Sequence, residues 1–399
     1  MTITANSPSP LLTDESLERI AEIAQAPLRR GHHVRILRDG ALAYPAMHAL
    51  IRAAKRTVCF ENFIFAGDDT GQDFALALER AKARGAEVRV IYDPIGTMLV
   101  RGGSIRRRLK RARIRVRPFR PVGMTAPWSW LRLTHRDHRK VLIADQLGAV
   151  VGGLCIADHW APAEHGGGNW RDTAMMVRGP AVADLQLAFE RMWTRALGLP
   201  GGAATSMAIR IGALPPARGN ASVIVVGDRP QTQRVAALYQ WLAENARETI
   251  EISDAYFLAP PHVTQALMAA ARRGVRVRLL LPGRNNHPIA GLAARRIYTS
   301  LLESGAEIFE WSGVMLHAKT AVVDGAISMV GSSNLDPLSL RRNYELNVLV
   351  ADEKVGSDMR ALFATDVLNA NAVVLEEWKK RPWRFKAAEW LAGLFEWNL

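Results

Sequence analysis

A short pattern that occurs twice constrains this sequence more than any other feature. Each copy has a histidine, a lysine two residues later and an aspartate five residues after that, inside an apolar run. The residues are His138, Lys140 and Asp145 in the first copy and His317, Lys319 and Asp324 in the second. Because side chains two apart on a strand face the same way, each copy projects an imidazole and an ammonium from one face of a strand. A histidine beside a cation, supplied twice, predicts a phosphate-binding site.

The residues after each copy predict further parts of this site. The second copy continues into Gly331-Ser332-Ser333-Asn334, and the first into Gly152-Gly153. Two lysines and a serine or asparagine can bind the non-bridging oxygens of a phosphate, whose charge grows in the transition state. The aspartates of both copies end their strands next to a turn, so we expect them to make structural pairs. The predicted phosphate-binding or supporting residues are Asp145, Asp324, Ser332, Ser333, Asn334 and Asn343.

Two histidines can cleave a phosphodiester without a metal or a cofactor, and we predict neither. One neutral imidazole attacks phosphorus and becomes a phosphohistidine, while the other, protonated, donates to the departing oxygen. Each histidine needs a carboxylate on its second ring nitrogen to fix its tautomer and orientation. Asp172 and Glu345 stand at the start of apolar strands downstream of the two copies. The predicted catalytic residues are therefore His138, Lys140, Asp172, His317, Lys319 and Glu345.

A duplication divides the 399-residue chain into two α/β halves, each expected to supply half of the site. Residues 61–65 (ENFIF) match 254–258 (DAYFL), and residues 84–90 match 273–279. In both halves strands and helices alternate at the spacing of parallel βαβ units. The predicted segments are a leader with one helix at 1–31, a first domain at 32–197, a linker at 198–220, a second domain at 221–370 and a tail at 371–399.

The charge of the chain predicts an anionic partner. It has 52 basic and 38 acidic residues, a net charge of +14, which favours nucleic acid or an anionic membrane surface. Cys59 and Cys155 lie far apart and predict neither a disulfide framework nor a zinc site. No run approaches the roughly 18–20 apolar residues that span a bilayer. We therefore expect a peripheral protein on the cytoplasmic side of the inner membrane, and the sequence predicts no particular oligomer.

Two stretches outside the repeat have the composition of membrane contacts. Residues 101–120 hold ten Arg or Lys and no acid, and Trp128 and Trp130 follow them. The tail carries Trp383, Trp390 and Trp397 at seven-residue spacing after a basic start. One interpretation is plain: a solvated basic loop and a packed helix. The other places the aromatic side chains in the headgroup region of a membrane with cations beside them, and we favour it.

The paired motifs resemble those of the phospholipase D superfamily. Within it, the stretch from His317 through Asn334-Leu335-Asp336-Pro337 to Asn343-Tyr344-Glu345 is similar to bacterial cardiolipin synthases, as are residues 61–65, 93–96, 170–172 and 179–180. The similarity runs from about residue 32 to the tail and suggests the shorter type, without an N-terminal membrane anchor. It implies two duplicated αβ sandwich domains, each with a mixed, mostly parallel sheet flanked by helices, and an active site at their pseudo-two-fold interface.

The same resemblance implies a reaction and its participants. A phosphatidyl group passes from one phosphatidylglycerol to another, making cardiolipin and glycerol, with His138 as the nucleophile and His317 as the acid. Other glycerophospholipids or alcohols remain open as substrates. Two positions depart from the family pattern: Cys155 stands where the family usually has asparagine, and Asn285-Asn286 where it often has Ser-Asp.

Two other functions remain open from the sequence. The first shares the mechanism: a phospholipase D-type hydrolase, or a nuclease that uses the positive charge. The tryptophans favour lipid over nucleic acid, which is disfavoured as a partner. The second is a non-enzymatic membrane-binding protein with a relict site, against which the two intact motifs weigh.

Overall fold

The computed structural model describes residues 9–98, 100, 102–121, 135–198 and 214–393. Three of the five predicted membrane contacts, Trp128, Trp130 and Trp397, lie outside these ranges, as does most of the predicted linker at 198–220.

The first half consists of strands with helices packed against them. Its strands are β1 (Arg29–Arg38), β2 (Thr57–Asn62), β3 (Glu87–Tyr92), β4 (Arg115–Pro118), β5 (Val141–Ala144), β6 (Gly148–Gly152) and β7 (Thr173–Arg178). Its helices are α1 (Asp14–Ala24), α2 (Asp39–Ala53), α3 (Asp69–Ala83), α4 (Pro94–Met98), α5 (Gly103–Arg111) and α6 (Ala181–Ala196).

The second half repeats this plan. Its strands are β8 (Ala221–Asp228), β9 (Thr249–Asp254), β10 (Arg276–Pro282), β11 (Glu307–Trp311), β12 (Lys319–Val323), β13 (Ile327–Gly331), β14 (Glu345–Ala351) and β15 (Ala370–Ala372). Its helices are α7 (Arg234–Asn245), α8 (Pro261–Arg272), α9 (Pro288–Arg295), α10 (Tyr298–Glu303), α11 (Glu353–Val367), α12 (Leu375–Lys379) and α13 (Trp383–Gly393).

The strand order confirms the duplication. The first half has the order β4-β3-β2-β5-β6-β7-β1 and the second the order β11-β10-β9-β12-β13-β14-β8, with β15 outside β11. Antiparallel pairing of β1 with β8 joins the halves into one sheet.

The sheet is mixed and flanked by helices, as predicted, but the expectation that it is mostly parallel is wrong. Parallel pairing joins β2 to β3 and β3 to β4, and likewise β9 to β10 and β10 to β11. The other ten pairings of the described strands are antiparallel. The βαβ pattern identified the parallel strands correctly, whereas the motif strands β5 and β12 turn directly into β6 and β13 through tight turns, which only antiparallel neighbours allow.

Equivalent glycines end the equivalent helices α3 and α8. Gly85 and Gly274 have φ values of +98° and +91°, which residues with a side chain rarely adopt. The next residue in each case, Ala86 or Val275, donates from its backbone N–H to a carbonyl five residues earlier, at 3.2 Å and 3.1 Å. This is the left-handed helix ending that glycine favours, and it turns the chain into β3 or β10.

The core of the second half includes part of the predicted leader. Leu17 and Ile20 of α1 are buried in the same cluster as Leu238 and Leu242 of α7. The Thr13 hydroxyl caps α1 by accepting from the Ser16 N–H at 3.3 Å. A separate cluster contains apolar residues of β5, β7, α6, β8 and β14, so the interface between the halves is itself a hydrophobic core.

The tail is partly packed and partly exposed. Trp378 is buried and stacks on Tyr298, with ring centroids 5.0 Å apart, and Ala392 of α13 packs with Ala293 of α9. Trp383 and Trp390 are 80% and 58% exposed. Among the described residues, no helix combines the length and the apolar character needed to cross a membrane.

Candidate active site

The two histidines predicted to be catalytic lie just outside the strands in which the sequence placed them. β5 begins at Val141, after His138 and Lys140, and β12 begins at Lys319, after His317. In each copy the lysine Nζ donates to the backbone carbonyl oxygen of its own histidine. Lys319 Nζ also lies 3.1 Å from the Nδ1 atom of His317. Histidine and lysine are therefore close, as expected, but not because they share one face of a strand. The backbone at each histidine pairs with the other half, and the lysine side chain folds back toward its own histidine.

The first of two backbone bridges between the halves holds His138. Tyr344 N–H donates to the Arg136 carbonyl at 2.9 Å, and His138 N–H donates to the Tyr344 carbonyl at 3.0 Å. The bridge places the next residue, Glu345, beside the imidazole, and His138 Nδ1 lies 3.0 Å and 3.2 Å from its two carboxylate oxygens. The Ser332 hydroxyl donates to the same carboxylate. Glu345 is fully buried, while the His138 side chain is 14% exposed.

The second bridge repeats this arrangement at His317. Arg171 N–H donates to the Met315 carbonyl at 2.9 Å, and His317 N–H donates to the Arg171 carbonyl at 2.7 Å. The following residue, Asp172, is fully buried and its Oδ2 lies 2.7 Å from His317 Nδ1. The Trp160 indole N–H donates to the same oxygen at 2.9 Å.

The carboxylates are exchanged between the halves. His138 of the first half is held by Glu345 of the second, and His317 of the second half by Asp172 of the first. The sequence predicted both carboxylates but not which histidine each contacts. With Nδ1 donating to a carboxylate, the Nε2 atom of each ring is left for the reaction. The geometry thus forms one site from the two halves.

Burial and the lysine charges keep both histidines neutral. Burial, with Lys140 and Lys319, lowers the pKa of His138 well below its usual value, and burial, with Lys319, lowers that of His317 to about 3. Burial lowers the pKa of Lys319 to about 8. Since each lysine affects both rings, all four side chains share one electrostatic environment.

The two carboxylates differ in charge state. Burial raises the pKa of Glu345 to about 7, against the opposing effects of Lys140 and Ser332. The pKa of Asp172 lies below its usual value, because burial is outweighed by His317, its hydrogen bond and Lys319. Asp172 is therefore ionised throughout the physiological range, while Glu345 titrates within it.

The aspartates that end the motifs lie away from the histidines and hold the fold. The Asp145 carboxylate accepts from the backbone N–H groups of residues 55–57 at 2.5–2.8 Å, and that of Asp324 from residues 247–249 at 2.9 Å. Both aspartates have positive φ, 49° and 51°. Each ties the turn after its motif strand to the start of the neighbouring strand, β2 or β9, which is the structural pairing expected.

The four other supporting residues lie around Glu345 and its strand. Ser332 bonds to Glu345 as described, and Ser333 Oγ accepts from the Asn347 amide at 2.7 Å. Asn343 Oδ1 accepts from the Arg136 N–H at 3.2 Å. The buried Asn334 donates to Ser339 Oγ at 3.3 Å, and its carboxamide oxygen has no hydrogen-bond partner in the part of the chain that is described. Asn334 is thus the residue of this group with an unused buried polar atom.

Close packing replaces polar contacts at the equivalent place in the first half. A Cβ atom on Gly153 would lie 2.3 Å from Asp172 Oδ1, so a side chain here would displace the carboxylate. Cys155 occupies the position equivalent to Asn334, is 1% exposed, and burial raises the pKa of its thiol. The first half therefore has no counterpart of the Asn334 carboxamide.

Aromatic rings that sequence reasoning missed flank both histidines. Phe63 meets His138 edge-on with ring centroids 5.0 Å apart, and Lys140 Nζ lies 5.2 Å from the centre of the same ring. Its counterpart Tyr256 lies 6.4 Å from His317, and Trp160 lies 5.2 Å from it. The signal was present, since Phe63 and Tyr256 occupy the same place in the repeated segments 61–65 and 254–258.

Comparison with known proteins gives a consistent result. A family model described as "Cardiolipin synthase, PLD-like domain" matches residues 47–193 and 241–367. A cardiolipin synthase of Listeria monocytogenes is 31% identical over 369 residues, covering 91% of this chain and 75% of that protein. One from Halalkalibacterium halodurans is 29% identical over 373 residues, covering 92% and 72%. The crystal structure of a Haemophilus influenzae phosphatidylserine synthase matches with a TM-score of 0.72 at 13% identity, covering 96% of this chain and 99% of that one, and so shares the fold.

Proposed function

The chain belongs to the family of cardiolipin synthases with a phospholipase D-like domain, and we propose that it transfers the phosphatidyl group of one phosphatidylglycerol to a glycerol hydroxyl of another. It is thus a phosphatidyltransferase whose products are cardiolipin and glycerol. One observation carries the proposal: His138 and His317 are each held at Nδ1 by a buried carboxylate from the opposite half, with Lys140 and Lys319 beside them.

The unequal carboxylates support different roles for the two histidines. Asp172 is fully ionised and so stabilises positive charge on His317, as an acid requires. Glu345, whose pKa burial raises to about 7, stabilises positive charge on His138 less, which favours a neutral nucleophile there. We therefore assign His138 as the nucleophile and His317 as the general acid, the order that the family resemblance implies.

Substrate binding allows His317 to take up from solvent the proton that it lacks in the free protein. In the free protein, burial together with the charges of Lys140 and Lys319 keeps both histidines neutral. A phosphodiester bound at Lys140 and Lys319 offsets those positive charges and adds its own negative charge. The pKa of His317 then rises toward the value that an acid needs, while the lysines bind the non-bridging oxygens. The active protonation state is thus specific to the complex with substrate.

The reaction proceeds in two balanced steps. His138 Nε2 attacks phosphorus, the bond from phosphorus to the first glycerol oxygen breaks, and His317 donates its Nε2 proton to that oxygen. Glycerol leaves, and the phosphatidyl group remains on His138. His317, now neutral, takes the proton from the hydroxyl of a second phosphatidylglycerol, whose oxygen attacks phosphorus and releases His138. Water in place of this hydroxyl would give phosphatidic acid.

The exposed aromatic residues of α13 support the membrane as the place of reaction. Trp383 and Trp390 are 80% and 58% exposed, and Phe385 and Leu391 beside them are 47% and 53% exposed. Arg384 lies on the same helix and places its guanidinium over Phe385. Exposed aromatic side chains next to cations are typical of helices that lie in the headgroup region. We propose that α13 docks on an anionic membrane surface, on its cytoplasmic side.

Incubation with phosphatidylglycerol vesicles tests the function. Lipid mass spectrometry of the wild type should show cardiolipin, with glycerol released in equal amount. His138→Ala and His317→Ala should lower the rate by several orders of magnitude, and His33→Ala, a change at an exposed histidine of β1, should not. Phosphatidic acid without cardiolipin would make the protein a hydrolase. Near-normal rates from either catalytic variant would contradict the mechanism.

A further inference from the structure

A basic cavity lies behind the catalytic residues. It has a volume of about 610 Å³, and Arg139, Tyr344 and Leu346 line one side of it. Arg139 separates His138 from Lys140 in the chain, and Tyr344 and Leu346 precede and follow Glu345. Neighbouring residues of an extended chain face opposite ways, so these side chains point away from the reaction. The cavity, called the arginine cavity below, and the active site share the same backbone segments.

Arginines dominate the charge of the arginine cavity. Those that line it are Arg139, Arg191, Arg195, Arg229 and Arg234, against two carboxylates, Asp184 and Asp228. Both carboxylates already accept hydrogen bonds from other residues. Asp184 accepts two bonds from Arg29, at 2.8 Å and 3.0 Å, and Asp228 accepts from the Thr232 hydroxyl and from the first backbone N–H groups of α7. Five arginines against two carboxylates nevertheless leave the wall with a net positive charge.

Most of these arginines have no acidic partner. Arg195 donates to the Tyr344 hydroxyl at 3.1 Å, and Arg234 donates to the Gly227 carbonyl and to Gln25, which are neutral groups. Arg191 and Arg229 are exposed, and their side chains make no ion pair or hydrogen bond with any other residue described. Burial, together with Arg229 and Arg191, lowers the pKa of Arg234. Asp228 opposes this effect, so the like charges are held close together with only partial compensation.

Two buried guanidinium atoms are also unused. The Nε atoms of Arg139 and Arg234 are buried and have no hydrogen-bond partner among the described residues. Arg139 is 5% exposed, and only its terminal nitrogen is bound, at 2.7 Å from Glu61. The Nε atoms of Arg38, Arg89 and Arg278, which lie outside the arginine cavity, are buried and lack a hydrogen-bond partner in the same way, so such atoms do not by themselves indicate a ligand.

We propose that the arginine cavity binds a phosphate-bearing anion, as a second site distinct from the catalytic one. Guanidinium groups match phosphate oxygens with paired hydrogen bonds, and a cavity of this volume is in the ordinary range for small ligands. Leu187, Met192 and Val225 complete the wall, so an apolar part of the ligand also finds contacts. The phosphate belongs either to a phospholipid headgroup or to a free phosphate ester.

The site needs no turnover to be detected, so its test is independent of the proposed reaction. Isothermal titration of the full-length protein with inorganic pyrophosphate should give, besides binding at Lys140 and Lys319, a second class of binding that weakens in Arg191→Gln/Arg229→Gln. The expected loss of affinity is about tenfold or more, since two charge-assisted contacts disappear. Arg80→Gln/Arg272→Gln is the matched control, because it removes the same charge at exposed arginines outside the arginine cavity. Equal affinities in the two double variants would overturn the proposal.

A charge-retaining variant distinguishes loss of the binding site from loss of the fold. Arg191→Lys/Arg229→Lys keeps both charges and should recover part of the affinity that the glutamine variant loses, with an unchanged unfolding temperature. Failure of both variants to differ from the control would count against the site. Glycerol 3-phosphate and monomeric dihexanoyl phosphatidic acid then distinguish the two sources. Tighter binding of the lipid assigns a phospholipid headgroup, and equal binding assigns a free phosphate ester.

Discussion

The exchange Glu345→Gln tests two effects of this carboxylate: its proposed contribution to the reaction rate, and the loss of folding stability that comes from ionising a buried group. The wild-type side chain is fully buried and contacts His138 Nδ1 at 3.0 Å and the Ser332 hydroxyl. Glutamine keeps the shape and removes the charge. A charge-assisted hydrogen bond is worth about 1.5–3 kcal/mol, or about 10- to 150-fold in rate. Control of the His138 tautomer is weakened as well, so we expect kcat to fall about 10²- to 10³-fold.

The same exchange should make the protein more stable at pH 8. Burial raises the pKa of Glu345 to about 7, from an ordinary value of 4.5. Between these pH values the folded protein binds more protons than the unfolded chain, so the free energy of unfolding falls as pH rises. The fall amounts to about 3 kcal/mol above pH 7, on the order of 1.4 kcal/mol for each pH unit. Glutamine does not ionise and avoids this loss, which offsets the weakened hydrogen bonds.

Two measurements on each variant test this reasoning. The rate of cardiolipin formation gives kcat, and thermal unfolding at about pH 5 and pH 8 gives the stability difference. Glu18→Gln, at an exposed glutamate of α1, is the matched control and should change neither quantity. The argument fails if Glu345→Gln keeps full activity, or if it unfolds earlier than the wild type at pH 8 while losing activity in proportion.

Three further predictions follow from the geometry of the site. Gly153→Ala should lower kcat more than tenfold, because its Cβ would lie 2.3 Å from Asp172 Oδ1. Gly227→Ala is the control and should leave kcat unchanged, because no atom lies within 4 Å of its Cβ. Steady-state kinetics measure both. Asp145→Asn should lower the free energy of unfolding by about 1–3 kcal/mol, since backbone N–H groups of residues 55–57 lose acceptors. The value of kcat per folded molecule should change little. Denaturant titration measures the free energy of unfolding. The ratio of kcat/KM in the wild type to kcat/KM in Glu345→Gln should rise through about pH 7, as Glu345 ionises, and kcat/KM of both proteins should fall more steeply above about 8, as Lys319 loses its proton.

The sequence predicted the parts of this fold that local chemistry determines. Apolar runs gave the strands, and glycines such as Gly85 and Gly274 gave the helix ends, because a left-handed residue there needs no Cβ. The duplication made the catalytic residues visible, since each half repeats the same spacing of histidine and lysine. The direction of β5 and β12 was not predictable in the same way, because it depends on which strand lies beside them and not on their own residues.

The sequence also could not predict which carboxylate contacts which histidine. His138 and Glu345 are 207 residues apart, and Asp172 and His317 are 145 apart, so no local pattern relates them. The partner of each histidine is chosen by the backbone bridge between the halves, which exists only after they have docked. Charge states share this dependence, because burial in the finished interface raises the pKa of Glu345, while charges across that interface lower that of Asp172.

The exchange of carboxylates predicts that catalysis requires both halves together. A single half would present a histidine without the carboxylate that orients it, and its bridging backbone groups at Tyr344 or Arg171 would lack partners. The core between the halves, where β5 and α6 meet β8 and β14, therefore fixes the active site as well as the fold. Side chains on one face of these segments form the proposed catalytic site, and those on the other face line the arginine cavity. A ligand there would contact residues next to His138 and Glu345 in the chain, so the arginine cavity and the proposed catalytic site share these segments.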